Sequence, residues 1–101
     1  MSVVTNIIFT FSLIDKSQIK KINEWLNKEE YGILKNISNH LGKYRSIECI
    51  ILAGAFNHFN LEDFIILLTT LEWNSTEDVQ LFIKEHEDNS FRLIDIFKNS
   101  I

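Results

Sequence analysis

The chain has 101 residues with ten Lys and Arg against fourteen Asp and Glu, a formal net charge of −4, and 46% hydrophobic residues including eight Phe, two Trp and two Tyr. That length supports one hydrophobic core, so residues 1–101 read as a single domain, and the apolar content excludes a disordered chain. One cysteine, Cys49, excludes an intramolecular disulfide and a secreted, disulfide-stapled scaffold.

Charge is unevenly divided. Residues 1–50 carry seven Lys and Arg against five Asp and Glu, whereas residues 51–101 carry three against nine, so the halves are +2 and −6. From Val3 to Leu13 apolar residues recur at the odd positions, with Asn6, Thr10 and Ser12 between them, which is the period of a strand with one buried face. The same polar interruptions argue against a signal peptide, and no stretch reaches the roughly 20 apolar residues of a membrane span. A cytoplasmic protein is the expectation, with no membrane partner.

Asp15 is expected to cap a helix, with Gln18 as the reciprocal partner of a capping box. Ile19, Ile22 and Leu26 form its apolar stripe with Trp25 at the edge, and the pattern ends near Glu29 or Glu30. Tyr31 to Ile37 resembles a short strand, followed by a polar segment, Ser38 to Arg45, turning at Gly42. The apolar run Ile47 to Ala53 predicts a strand buried on both faces, within which Cys49 is a small buried hydrophobe. Asn60 is a helix N-cap, with Glu62 and Asp63 in the first turn, and Phe64, Leu67, Leu68 and Leu71 give a second, deeply packed helix. Alternation returns at Val79, Leu81 and Ile83, and again from Phe91 to Phe97 across the turn Glu87–Ser90, which predicts an antiparallel hairpin over residues 79–98. The resulting order is strand, helix, strand, strand, helix, strand, strand. This is an α+β chain with a ferredoxin-like βαββαβ sheet, an added C-terminal strand, and both helices on one face.

Candidate chemistry is sparse. His58, beside Asn57 and ahead of Glu62 at the start of the second helix, could work as an acid or base with Glu62, or hold an anion at the helix N-terminus. The plainer reading is a loop histidine shielded by Phe56 and Phe59. His86 lies among Glu85, Glu87 and Asp88, but alternation along a strand would direct its neighbours away from it, and a solvated hairpin tip is favoured over a metal site. His40 sits in a polar loop near Lys43, Tyr44 and Arg45. Gly54-Ala55-Phe56-Asn57 occupies the place of a phosphate cradle, yet has one glycine where such loops need two or three. No cofactor or metal is implied, and the chain reads as non-enzymatic. A nucleic-acid role ranks third, because the aromatics Phe9 and Phe11 lie on the apolar strand face and a net charge of −4 repels phosphate.

The acidic residues are better placed. Glu72, Glu77 and Asp78 flank the loop into the hairpin, while Glu85, Glu87 and Asp88 crowd its tip. They form a candidate docking face for a basic protein, weighed against ordinary solubilising charge. In size, charge and lack of catalytic motifs the chain resembles the immunity proteins of bacterial polymorphic and contact-dependent toxin systems. The tract Leu52-Ala53-Gly54-Ala55-Phe56-Asn57-His58-Phe59-Asn60 is also similar to a segment of uncharacterised bacterial proteins. The immunity resemblance implies a domain that neutralises a cognate toxin, often a basic nuclease, by covering its active site. The alternative is a self-associating structural or ligand-sensing module, a homodimer in which exposed Trp25 and Trp73 pair between chains.

Overall fold

The computed structural model describes residues 3–38 and 49–97. Among these residues the architecture is α+β, a five-stranded antiparallel sheet with two α-helices. The strands are β1 (Val4–Phe11), β2 (Lys35–Asn36), β3 (Ile50–Asn57), β4 (Gln80–Glu85) and β5 (Arg92–Ile94), and the helices are α1 (Gln18–Lys28) and α2 (Leu61–Thr70). Sheet order is β2-β3-β1-β4-β5, and every adjacent pair is antiparallel.

Side-chain period fixes the two faces. In β1 Thr5, Ile7, Phe9 and Phe11 are buried, and each alternates with a half-buried residue. Register sets Leu52 and Leu81 on either side of Phe9, and Gly54 and Ile83 on either side of Ile7. Directly paired residues share a face, so these side chains make one continuous apolar surface. Phe64 of α2 meets Phe9 edge-on at 6.4 Å, and Trp25 of α1 lies 5.9 Å from Phe64, so both helices join the core on this side. Full burial of one such side chain is worth about 1.5–3 kcal/mol, so this face supplies much of the folding free energy.

Several sequence expectations change. Asp15 does not cap α1. Residues Leu13–Asp15 form a 3₁₀ turn whose cap is Ser12, and Ser17 precedes α1 without a side-chain cap bond. The fully buried Asp15 carboxylate instead accepts from the backbone N–H of Asn74 (2.8 Å) and of Ser75 (3.1 Å), and from Asn74 Nδ2 (3.1 Å). Gln18 donates to the carbonyl of Glu72 at 2.7 Å rather than closing a capping box. Both side chains tie the β1–α1 connection to the segment after α2. A carboxylate removed from water needs donors, and the tertiary fold brings them from 59 and 60 residues away.

The strand expected over 31–37 contracts to Lys35–Asn36, because Gly32 takes a φ of 117° and the preceding Glu30 a φ of 65° as the chain leaves α1. The strand expected at Ile47–Ala53 runs Ile50–Asn57; residues 47–48, with the loop residues His40 and Gly42, lie outside the described residues. It is buried on one face only, through Ile50, Leu52 and Phe56, because no helix covers the other side among the described residues. Cys49 is half-buried rather than in the core. Gly54, expected in a possible phosphate loop, sits mid-strand in β3. A Cβ there would come within 3.0 Å of Leu34 Cδ2, so the glycine admits the Leu34 side chain. Trp25 and Trp73 are not exposed. Trp25 packs on Tyr31 and Phe64, while Trp73 packs edge-on against Phe9 and Phe11 and donates from Nε1 to the Leu68 carbonyl at 2.8 Å.

Asn60 does cap α2, accepting from the Asp63 N–H at 3.1 Å. Phe64 and Leu68 are fully buried, but Ile66 is 60% exposed, so the stripe is narrower than its apolar content implies. The hairpin forms as expected, with β5 cut to three residues.

Candidate functional site

The six carboxylates proposed for docking fall into two groups, one at each end of β4. Glu77 and Asp78 precede β4 in a 3₁₀ turn, while Glu85, Glu87 and Asp88 end and follow it. The six residues of β4 separate the groups by about 20 Å at 3.3 Å per residue. Glu72, just past α2, belongs with the first group, since its carbonyl is held by Gln18 at the start of α1. There Ser75 Oγ stands 2.7 Å from Asp78 Oδ2 and 3.2 Å from Glu77 Oε1, a local hydrogen-bonded cluster.

At the opposite end, residues that are distant in sequence converge. Glu85 pairs with Thr5, so its side chain leaves the sheet on the helix side, towards the first turn of α2. Val3, Thr5, His58, Glu62 and Glu85 line an open cleft of about 750 Å³. A second hollow, lined by Val3, Glu85, His86, Glu87 and Asp88, adjoins it through Val3 and Glu85. The histidine and the hairpin tip, read separately in the sequence, therefore occupy one end of the molecule. Asn57 is outside this cleft: it pairs with Val4 and, by alternation, faces the other side of the sheet.

Local structure explains the arrangement. The His58 N–H donates to the Val3 carbonyl at 2.9 Å, extending the β1–β3 ladder by one residue, and a φ of 52° then turns the chain towards α2. Beneath the turn Tyr31, Phe56, Phe59 and Phe64 pack against one another, with centroids 4.6–5.9 Å apart. The Tyr31 hydroxyl accepts from the Asn60 N–H at 3.1 Å. This aromatic floor holds the α2 N-terminus at the sheet end. Glu62 and Asp63 then lie where the helix dipole favours negative charge, which opposes the anion-binding use of His58 considered from sequence.

Arg92 is the cation that sequence reading missed. Its Nε is 3.1 Å from Asp88 Oδ2, and its Nη2 is 3.6 Å from Glu85 Oε2. The spacing of four between Asp88 and Arg92 was visible in the sequence; their approach across the hairpin depends on the turn. Asp88 Oδ2 also accepts the Glu85 backbone N–H at 2.9 Å. These two hydrogen bonds, the backbone one first, hold the Asp88 carboxyl below its ordinary value against the opposing effect of desolvation. Glu62 and Glu87 make no ion pair among the described residues and are exposed. No group of three or more His, Cys, Asp or Glu is placed to hold a metal ion among the described residues. Chemically, the rim offers carboxylate oxygens to cationic side chains, around a shallow apolar contact at Val3, which is 47% exposed.

No family model matches this chain, and no curated protein or solved structure shows significant similarity to it. Among the described residues, no helix is long and apolar enough to cross a membrane.

Proposed function

We propose that this chain is a non-enzymatic protein-binding domain that receives a basic protein surface at the sheet end formed by the α2 N-terminus and the β4–β5 turn. The observation that carries this reading is the meeting of Glu62, Glu85, Glu87 and His58 around two adjoining hollows, from segments of the chain more than 20 residues apart. Glu85 and Asp88 are ordered by Arg92, and Glu62 and Glu87 remain to pair with incoming Lys or Arg. Exposed pairs of this kind accelerate encounter and fix orientation more than they add affinity. Glu72, Glu77 and Asp78, at the far end, contribute long-range attraction rather than contact.

Within this reading the finer assignment is an immunity protein covering the active site of a basic toxin. The order β2-β3-β1-β4, flanked by the added β5, supports a ferredoxin-like reading of the first four strands. The test is a pull-down from the source cells with wild-type protein and with the doubly reversed Glu62→Lys, Glu87→Lys variant, at low and high salt. A basic protein retained by the wild type at low salt, lost at high salt and lost by the variant supports the reading. Equal retention by both proteins removes it.

A further inference from the structure

The acidic end of the sheet already holds a guanidinium. Arg92 pairs with the buried Ile83 across β4 and β5, and Glu85 stands two residues beyond Ile83 in β4. Arg92 and Glu85 therefore rise on the same side of the sheet, the helix side, as diagonal neighbours.

The two contacts of Arg92 differ in kind. Its Nε donates to Asp88 Oδ2 at 3.1 Å, and Asp88 is in turn anchored by the Glu85 backbone N–H at 2.9 Å. Its Nη2 stands 3.6 Å from Glu85 Oε2, too far for a hydrogen bond. The guanidinium is thus tethered to the turn through Asp88, while the Glu85 carboxylate is held by charge alone. Glu85 is also the carboxylate common to both hollows, lining the cleft with His58 and Glu62 and the smaller hollow with His86 and Glu87. Its side chain is 42% exposed and that of Arg92 49%, so a second cation can reach Glu85 from solvent.

Resting on the basic-partner reading above, we infer that Arg92 is an internal competitor for the partner's cation: a Lys or Arg entering the cleft takes Glu85 from Arg92, which stays on Asp88. An exposed ion pair shifts an equilibrium by about fivefold or less, so the exchange is readily reversible. Arg92 therefore lowers the affinity of the site for any cation and favours partners that meet Glu62 and Glu87 at the same time. A single lysine gains too little to displace it.

Calorimetric titration with an amidated hexa-arginine peptide tests this, in about 0.1 M salt, where exposed charges more than about 10 Å apart are screened. Arg92→Gln and Arg92→Met should each bind the peptide about threefold more tightly than wild type, the effect of removing one exposed competing charge. That gain should fall away when Glu85 is already replaced in a Glu85→Gln background. Lys20→Gln makes the same change in net charge at an exposed position of α1, near the opposite end where Gln18 holds the Glu72 carbonyl, and should leave the affinity as it was. Unchanged affinity in both Arg92 variants with native circular dichroism overturns the inference. So does an equal gain for Lys20→Gln, or a gain that persists undiminished without Glu85. In each of those cases, weaker binding by the Glu62→Lys, Glu87→Lys variant leaves the basic-partner reading standing alone, whereas no binding by wild type or the Arg92 variants overturns both.

Discussion

Replacing Asp15 by Ala distinguishes a tertiary clamp from a helix cap. The carboxylate is fully buried and accepts three hydrogen bonds, at 2.8, 3.1 and 3.1 Å, from the segment that follows α2. Two of the three donors are backbone N–H groups, which cannot rotate away to find other acceptors. Leaving a buried donor unsatisfied costs about 1–3 kcal/mol, and a hydrogen bond to a charged group contributes about 1.5–3 kcal/mol. Asn74 is exposed and Ser75 half-buried, so water recovers part of this, and a net loss of about 3 kcal/mol is expected. For a domain near 100 residues that lowers the melting temperature by roughly 12–24 °C. Urea unfolding followed by circular dichroism reads the change as a lower midpoint with an unchanged slope. Asp15→Asn retains one acceptor but turns an amide N–H₂ towards a backbone N–H, so it should lose about 2 kcal/mol. A lost cap would behave differently: Ala would cost about 1 kcal/mol and Asn almost nothing. An Asp15→Ala loss below about 1 kcal/mol with a silent Asp15→Asn refutes the clamp.

Two further predictions concern backbone conformation and titration. Gly32→Ala has room for its methyl group, whose nearest neighbour would be Phe56 Cε1 at 3.7 Å, but must hold a φ of 117°, so it should cost about 1 kcal/mol or more in the same unfolding assay, with contacts otherwise unchanged. Asp88 should titrate below the ordinary aspartate value of 3.8 when followed by carboxyl carbon chemical shift. Since its folded value is the lower one, the stability it contributes is present above 3.8 and disappears as pH falls through the depressed value; Asp88→Asn should remove that part of the acid dependence, and unchanged acid unfolding would contradict the hydrogen bonds assigned to it.

The amino-acid pattern by itself determined the order of elements and, for β1, α1, α2 and β4, the side that is buried. Alternation in Val4–Phe11 and Gln80–Glu85, the Asn60 cap with acidic residues behind it, and the apolar stripe through Ile22 and Leu26 are all local signals, set by backbone period and by the orphan groups of a helix end. Asp15 and Gln18 had the spacing of a capping box, yet their partners lie more than 50 residues away, and nothing local could reveal them. Trp25 and Trp73 looked peripheral because hydrophobic period does not say which neighbours close over a residue; the aromatic floor around Phe9, Phe56 and Phe64 does. The acidic residues and their two groups, at the loop into the hairpin and at its tip, were visible in the sequence, whereas the meeting of His58, Glu62 and Glu85 follows from sheet register. Composition and period are properties of neighbours along the chain, whereas a site or an interface is a property of neighbours in space, and only the tertiary structure decides those.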